Sequence, residues 1–284
     1  MSLMNDDINN WIGKTIRFED KVNEYPVKAM AAVFDYEYDK KKYINVPYGW
    51  HWLYFLNLPL QKNLGADGHE KRQGFMPPIP LPIRMYAGGE INFLNPLPLG
   101  KNATKSSKIL SIQNKTGSSG KLTFLQIKHS ILSDGEIAIE ELQNLVYREE
   151  KSNSNNLKKY IRPPENYDYQ KSWTTTPEML FRYSALTHNT HRIHYDYLYA
   201  TKVEGYPQIV VHGPLMATFL LDLASKVAND KNTLIKTFKF RLMSPVFVGG
   251  EIFAQAKYND TGLDLWIKDQ KGNQSLSALA EFSN

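Results

Sequence analysis

The feature that most constrains this chain is that it repeats itself. Residues 92–100 read NFLNPLPLG and residues 241–249 read RLMSPVFVG, which sets Pro96 against Pro245 and Gly100 against Gly249 at a constant offset of 149. The segments downstream of each copy agree in kind. Lys121–Ser130 alternates apolar and polar residues, meets a Ser133-Asp134-Gly135 turn and continues as Glu136–Glu141. Leu263–Lys268, Lys271-Gly272-Asn273 and Ser275–Phe282 repeat that pattern. Alternation on both sides of a Gly-bearing turn reads as a hairpin of half-buried strands. Each half also has an apolar segment ahead of its strands. Tyr48–Leu60 is apolar nearly all round, as a buried helix would be, and Leu215–Val227 comes after Pro214, which suits a first helical turn. Glu149–Asn166 is polar and then proline-bearing, as a linker would be. The expected architecture is a duplicated α+β unit, two antiparallel sheets each wrapping a long central helix. Its halves span residues 1–148 and 173–284, with 149–172 as linker.

Length and charge narrow the function. A chain of 284 residues can bury a large core. Zero cysteines excludes a disulfide framework and thiolate metal sites, and fits a reducing cytoplasm, the expected location. The formal charge of +5 is scattered, with a local excess only at Lys101–Lys121. Without an Arg-rich stripe or a recognised binding motif, nucleic acid is not an expected partner; a phosphate-rich small molecule uses the charge better. No apolar run reaches the roughly 20 residues that cross a bilayer, so no membrane association is expected.

The candidate chemistry lies in Tyr183–Ala224. Thr176-Pro177-Glu178 starts a helix that should end near His188-Asn189, leaving Asn189 to His194 on irregular backbone. His212-Gly213-Pro214 then opens the apolar helix. Histidine can act as a base near neutral pH. An asparagine carboxamide can hold a water but exchanges no proton usefully. A helix start offers unpaired N–H groups to a developing oxyanion, and Gly213 has no side chain to obstruct a carbonyl. These parts suit proton abstraction beside a carbonyl, or water addition across an α,β-unsaturated one. Other readings compete: His191 shaping the loop, His194 at a cap or surface, Tyr183 and Tyr206 as packing residues, and a zinc site on His188, His191 and His194. No metal is expected.

The same residues resemble the hydratase segment of MaoC-like hotdog-fold dehydratases. The usual signature there is G-D-x-N-P-x-H, followed by a Gly-led helix. Here it reads His188-Asn189-Thr190-His191-Arg192-Ile193-His194, with His194 on the family histidine, Asn189 where most members have Asp, and His191 where they have Asn. The variant H-R-I-H-Y-D is similar to the branch holding the mesaconyl-C4-CoA hydratases and the mitochondrial type 2 3-hydroxyacyl-thioester dehydratases. Gly74–Pro82 and Arg84-Met85-Tyr86-Ala87-Gly88-Gly89 resemble the non-catalytic half of that branch. The resemblance implies a double hotdog and a hydro-lyase acting on an acyl-CoA thioester, with no cofactor beyond the substrate's own coenzyme A and a homodimeric assembly. It implies catalytic roles for Asn189, His194 and the Gly213 amide, and substrate binding by Arg84, Tyr183, His191, Arg192 and His212. Arg84 and Met76–Pro82 should then line an acyl channel through the first half, and Arg84, Arg192 and Arg182 are candidate partners for a carboxylated acyl group. Alternatives are a fatty-acid-type 3-hydroxyacyl-thioester dehydratase and a silent acyl-CoA-binding protein.

Overall fold

The two halves are built from the same strands in the same order. The computed structural model describes residues 8–72, 74–117, 120–149 and 160–283. The first half contributes β1 (Thr15–Lys21), β2 (Ile83–Phe93), β3 (Asn102–Gly117), β4 (Gly120–Ser133) and β5 (Glu136–Arg148). The second contributes β6 (Tyr169–Thr174), β7 (Ile235–Leu242), β8 (Glu251–Tyr258), β9 (Gly262–Lys268) and β10 (Gln274–Phe282). Across the sheet they run β1-β3-β4-β5-β2-β7-β10-β9-β8-β6. Counted outward from the centre, each half therefore has one arrangement, and the halves are related by a pseudo-two-fold. Both expected hairpins are present, as β4–β5 and β9–β10. β6 begins inside the stretch read as linker, and residues 150–159 of that stretch lie outside the described residues.

The two expected sheets are joined into one. β2 and β7 pair antiparallel from Gly88↔Arg241 to Asn92↔Thr237, so neither leaves an open hydrogen-bonding edge at the seam. Gly88 adopts φ +137°, and a Cβ there would lie 2.2 Å from the Phe240 carbonyl oxygen. The Gly88-Gly89 pair is thus demanded by close strand approach.

Three helices pack on this sheet: α1 (Glu24–Val33), α2 (Pro177–Thr187) and α3 (Gly213–Asp230). α3 is the expected central helix of the second half, buried along most of its length from Leu215 to Ala228. Its first-half counterpart is not formed. Of Tyr48–Leu60 only Trp50–Leu53 makes a turn of 3-10 helix, flanked by Gly49 at φ +80° and Phe55 at φ +56°. Both are left-handed positions that an α-helix cannot contain. Trp50, Leu53, Tyr54 and Phe55 are nevertheless buried, and with α1 they fill the space under the first sheet half. An all-apolar run fixes burial but carries no period, so bulky rings can occupy the volume of a helix without forming one.

The proline-rich segment packs on the long strands of the first half. β3, β4 and β5 have 16, 14 and 13 residues against 8, 7 and 9 in β8, β9 and β10. Ile79 and Leu81 pack on the overhang with Ile109, Leu125, Ile127 and Tyr147, forming a second apolar cluster. The Arg72 guanidinium holds the segment by donating to the carbonyls of Ile79, Leu81 and Pro82. Met76–Pro82 is therefore a cover for the long strands. Arg84 lines a cavity that it shares with Asp67 and His69.

Without a central helix, the first half buries a carboxylate. Glu141 on β5 accepts hydrogen bonds from His51 Nε2 (3.1 Å), Trp52 Nε1 (3.0 Å) and the Tyr86 hydroxyl (3.2 Å). Burial alone would raise its pKa, but the His51 and Trp52 hydrogen bonds and nearby imidazoles outweigh burial and hold it at about 2. A depressed carboxylate stabilises the fold above its unfolded pKa and loses that contribution as pH falls through the folded one. Stability should thus decline between about pH 4.5 and about pH 2. Thermal melts of Glu141→Gln should show a shallower acid limb than wild type; superimposable limbs would refute this role.

Candidate active site

α2 delivers the first part of the site. Thr176 Oγ1 accepts from the Met179 amide at 3.2 Å, Pro177 opens the helix, and His188 ends it in the left-handed conformation at φ +49°. Asn189 Oδ1 then accepts from the His191 amide at 3.0 Å, an Asx turn that aims the chain into a short 3-10 turn, Arg192–His194. That turn buries His194, whose Nδ1 lies 2.7 Å from the Val210 carbonyl oxygen. A carbonyl only accepts, so Nδ1 carries the hydrogen and Nε2 keeps its lone pair. Burial lowers the His194 pKa to about 4, against the pull of the Val210 hydrogen bond. At neutral pH the ring is a base with a defined open nitrogen.

The second part is the start of α3. His212 occupies the cap position but makes no capping hydrogen bond with its side chain, and no acid lies in the first turn. Pro214 has no N–H, which leaves the Gly213 and Leu215 amides as the helix-end donors. His194 stacks on His212 with ring centroids 3.8 Å apart, so the base sits beside that helix start. The bare Cα of Gly213 serves packing: a Cβ would fall 2.4 Å from Leu242 Cδ1.

The other expected site residues separate into groups. His212 is fully buried, shares a 2.8 Å hydrogen bond with Ser184 Oγ, leaves Nδ1 unpartnered and stacks on the His194 ring. Tyr183 is buried edge-on against His212. Arg192 is occupied: its Nε and Nη2 bond Asp196 at 3.0 and 2.7 Å, and Nη1 donates to the Ala66 carbonyl at 3.0 Å. Arg182 is exposed on α2. His188, His191 and His194 do not converge, because His188 is exposed at the helix end while the other two rings lie perpendicular, 5.5 Å apart.

A third part comes from the first half and is not signalled by any motif. Leu64 and Glu70 bridge a tight hairpin whose tip, Asp67-Gly68-His69, docks on the 189–194 loop. The Arg192 amide donates to the Asp67 carbonyl (2.9 Å) and Thr190 Oγ1 to the Gly68 carbonyl (2.5 Å). His69 Nδ1 lies 2.8 Å from Asp67 Oδ2, and its ring centroid is 4.0 Å from that of His191. Burial pushes the His191 pKa down to about 2, helped by His69 and His194, so this ring stays neutral. Gly65, Asp67, His69, Glu70, Lys71, Arg72 and Arg84 line a cavity of about 280 Å³. The residues were visible as a turn-forming G-A-D-G-H stretch, but their partners lie more than 120 positions away.

Two hotdog halves joined in one sheet, with His194 beside the start of α3, give the fold and the candidate site of a thioester hydro-lyase. The chain matches the family model for hydroxyacyl-thioester dehydratase type 2 over residues 49–248, and it belongs to that family. It is 38% identical over 273 residues to the mesaconyl-C(4)-CoA hydratase of Chloroflexus aurantiacus, covering 96% of each chain. It is 32% identical to the mitochondrial hydroxyacyl-thioester dehydratase type 2 of Schizosaccharomyces pombe over 77% of this chain and 79% of that one. Among solved structures, a MaoC-like dehydratase from Phytophthora capsici superposes with a TM-score of 0.71 at 15% identity over 99% of this chain and 98% of that one, a likeness of fold.

Proposed function

We propose that this hydro-lyase hydrates mesaconyl-C4-CoA to citramalyl-CoA. The supporting observation is His194 beside the open end of α3, its Nδ1–H fixed on Val210 and its Nε2 available. His194 Nε2 takes a proton from water as the oxygen adds to the β-carbon. The thioester oxygen becomes enolate-like and is held by the Gly213 amide at the positive end of α3. The proton then passes from His194 to the α-carbon, so the base is restored without an outside proton. Asn189 has its Oδ1 engaged by the loop and offers Nδ2 to the water oxygen. No cofactor is required beyond the coenzyme A of the substrate. No described helix is long and apolar enough to cross a membrane, and the cytoplasm is the proposed compartment.

The acyl group is argued from charge. The relative from Chloroflexus aurantiacus is named for a substrate with a free carboxylate, and Arg84 supplies a cation on the cavity wall beside Asp67 and His69. Loss of enoyl absorbance with mesaconyl-C4-CoA and with crotonyl-CoA tests the assignment. Faster turnover of the former is expected. Preference for crotonyl-CoA and longer chains would make this a general acyl-thioester dehydratase, and inertness toward both would make it a binding protein.

A further inference from the structure

We propose that the Asp67–His69 pair is a substrate-contacting part of this active site and, with Arg84, receives the carboxylate carried by the acyl group. The inference rests on the mesaconyl-C4-CoA reading and deepens it. In that substrate the carboxylate is attached to the carbon that water attacks. Its partner must therefore lie within a few ångströms of the base. His69 reaches the neighbourhood of the base through one intervening ring: its centroid is 4.0 Å from that of His191, whose own centroid is 5.5 Å from that of His194.

Asp67 is held below the usual carboxylate range; burial opposes this, but hydrogen bonds from His69 prevail. An ionised carboxylate only accepts, so His69 carries its hydrogen on Nδ1 and leaves Nε2 as a bare lone pair. Arg84 lines the same cavity and forms no ion pair among the described residues. A half-buried guanidinium without a carboxylate beside an Asp-backed imidazole is an incomplete anion site. The hairpin is fixed in place: Asp67 Oδ1 accepts from the His69 amide at 3.0 Å, and the tip is bonded to Thr190 and Arg192.

Carboxylate binding at this pair is coupled to proton uptake. A neutral His69 has no hydrogen to offer an incoming carboxylate, so binding adds one solvent proton to Nε2. The imidazolium then lies between Asp67 and the substrate. The charged groups around His69 are Asp67 from its own hairpin and Glu70, Lys71, Arg72 and Arg84 from the cavity wall, and the neutral, titratable His191 and His194 rings lie on the 189–194 loop. Burial and Arg84 hold the empty-site imidazole neutral, and Asp67 opposes them. An anion beside Arg84 cancels that repulsion.

The test compares wild type, His69→Gln, His69→Ala, Asp67→Asn and Arg84→Ala with mesaconyl-C4-CoA and crotonyl-CoA, the latter read as substrate or competitive inhibitor. Each substitution should raise KM for the carboxylated thioester, lowering its kcat/KM relative to crotonyl-CoA by about tenfold or more, the usual loss for a hydrogen bond to a charged group. Wild-type KM for mesaconyl-C4-CoA should rise with pH by up to about tenfold per unit through proton linkage. His69→Gln should abolish that slope. Asp67→Asn keeps the turn oxygen and so guards against a folding artefact. Equal losses on both substrates, confined to kcat, would assign His69 to the chemical step and overturn the proposal, as would unchanged discrimination. A wild type that ignores mesaconyl-C4-CoA would instead refute the substrate reading itself.

Discussion

His194→Ala is expected to lower kcat by about 10²–10⁴-fold, the range for loss of a general base, with the fold intact. The Nδ1 hydrogen bond to Val210 is the one that ring makes to a described residue, so little else is lost with it. The wild-type pH profile carries the same signature. Because burial holds the imidazole at about 4, the base form persists from about pH 5 upward, and kcat/KM with an uncharged enoyl thioester should fall only near pH 4, not near 6.5. The linked stability effect has the matching sign. A histidine with a lowered folded pKa takes up protons first in the unfolded chain, so its contribution declines as pH drops from 6.5 towards 4. An alanine variant that retains wild-type turnover would remove His194 from the mechanism.

Gly68→Ala should be the most damaging small substitution outside the 189–194 loop. Gly68 sits at φ +89°, and a Cβ there would lie 1.9 Å from the Thr190 carbonyl oxygen. Backbone cannot yield as a flexible side chain can, so the hairpin must move off the 189–194 loop. Left-handed strain and overpacking together cost about 3 kcal/mol. Displacing that loop by an ångström should lower kcat/KM by about 10²-fold, since productive geometry tolerates little error. Chemical denaturation and steady-state kinetics check both figures. Wild-type stability and rate in this variant would mean the two halves do not brace each other there.

The duplicated architecture was legible because it rests on local signals. Hairpin alternation, Gly-bearing turns and the Pro96/Pro245 echo each specify structure from adjacent residues. The Thr176 cap and the Gly213-Pro214 helix start were readable for the same reason. Tyr48–Leu60 misled because rings at nearly every position satisfy burial in any backbone form. The surroundings of Arg192 and His212 were not readable, because sequence shows a side chain's chemistry but not its neighbours. Asp196 and the Ala66 carbonyl take the first, and Ser184 and the His194 ring enclose the second.

By itself the amino-acid sequence determined two like halves, the helix that starts at Gly213 and the loop carrying Asn189 and His194, because caps, turns and alternation act over a few residues. Only the tertiary structure decided that β2 joins β7 into one sheet, that Glu141 fills part of a missing helix's place, and that Asp67 and His69 stand beside the 189–194 loop. Those outcomes depend on surfaces that meet only after the halves have packed, and no short-range pattern encodes which distant backbone a glycine or a histidine will touch.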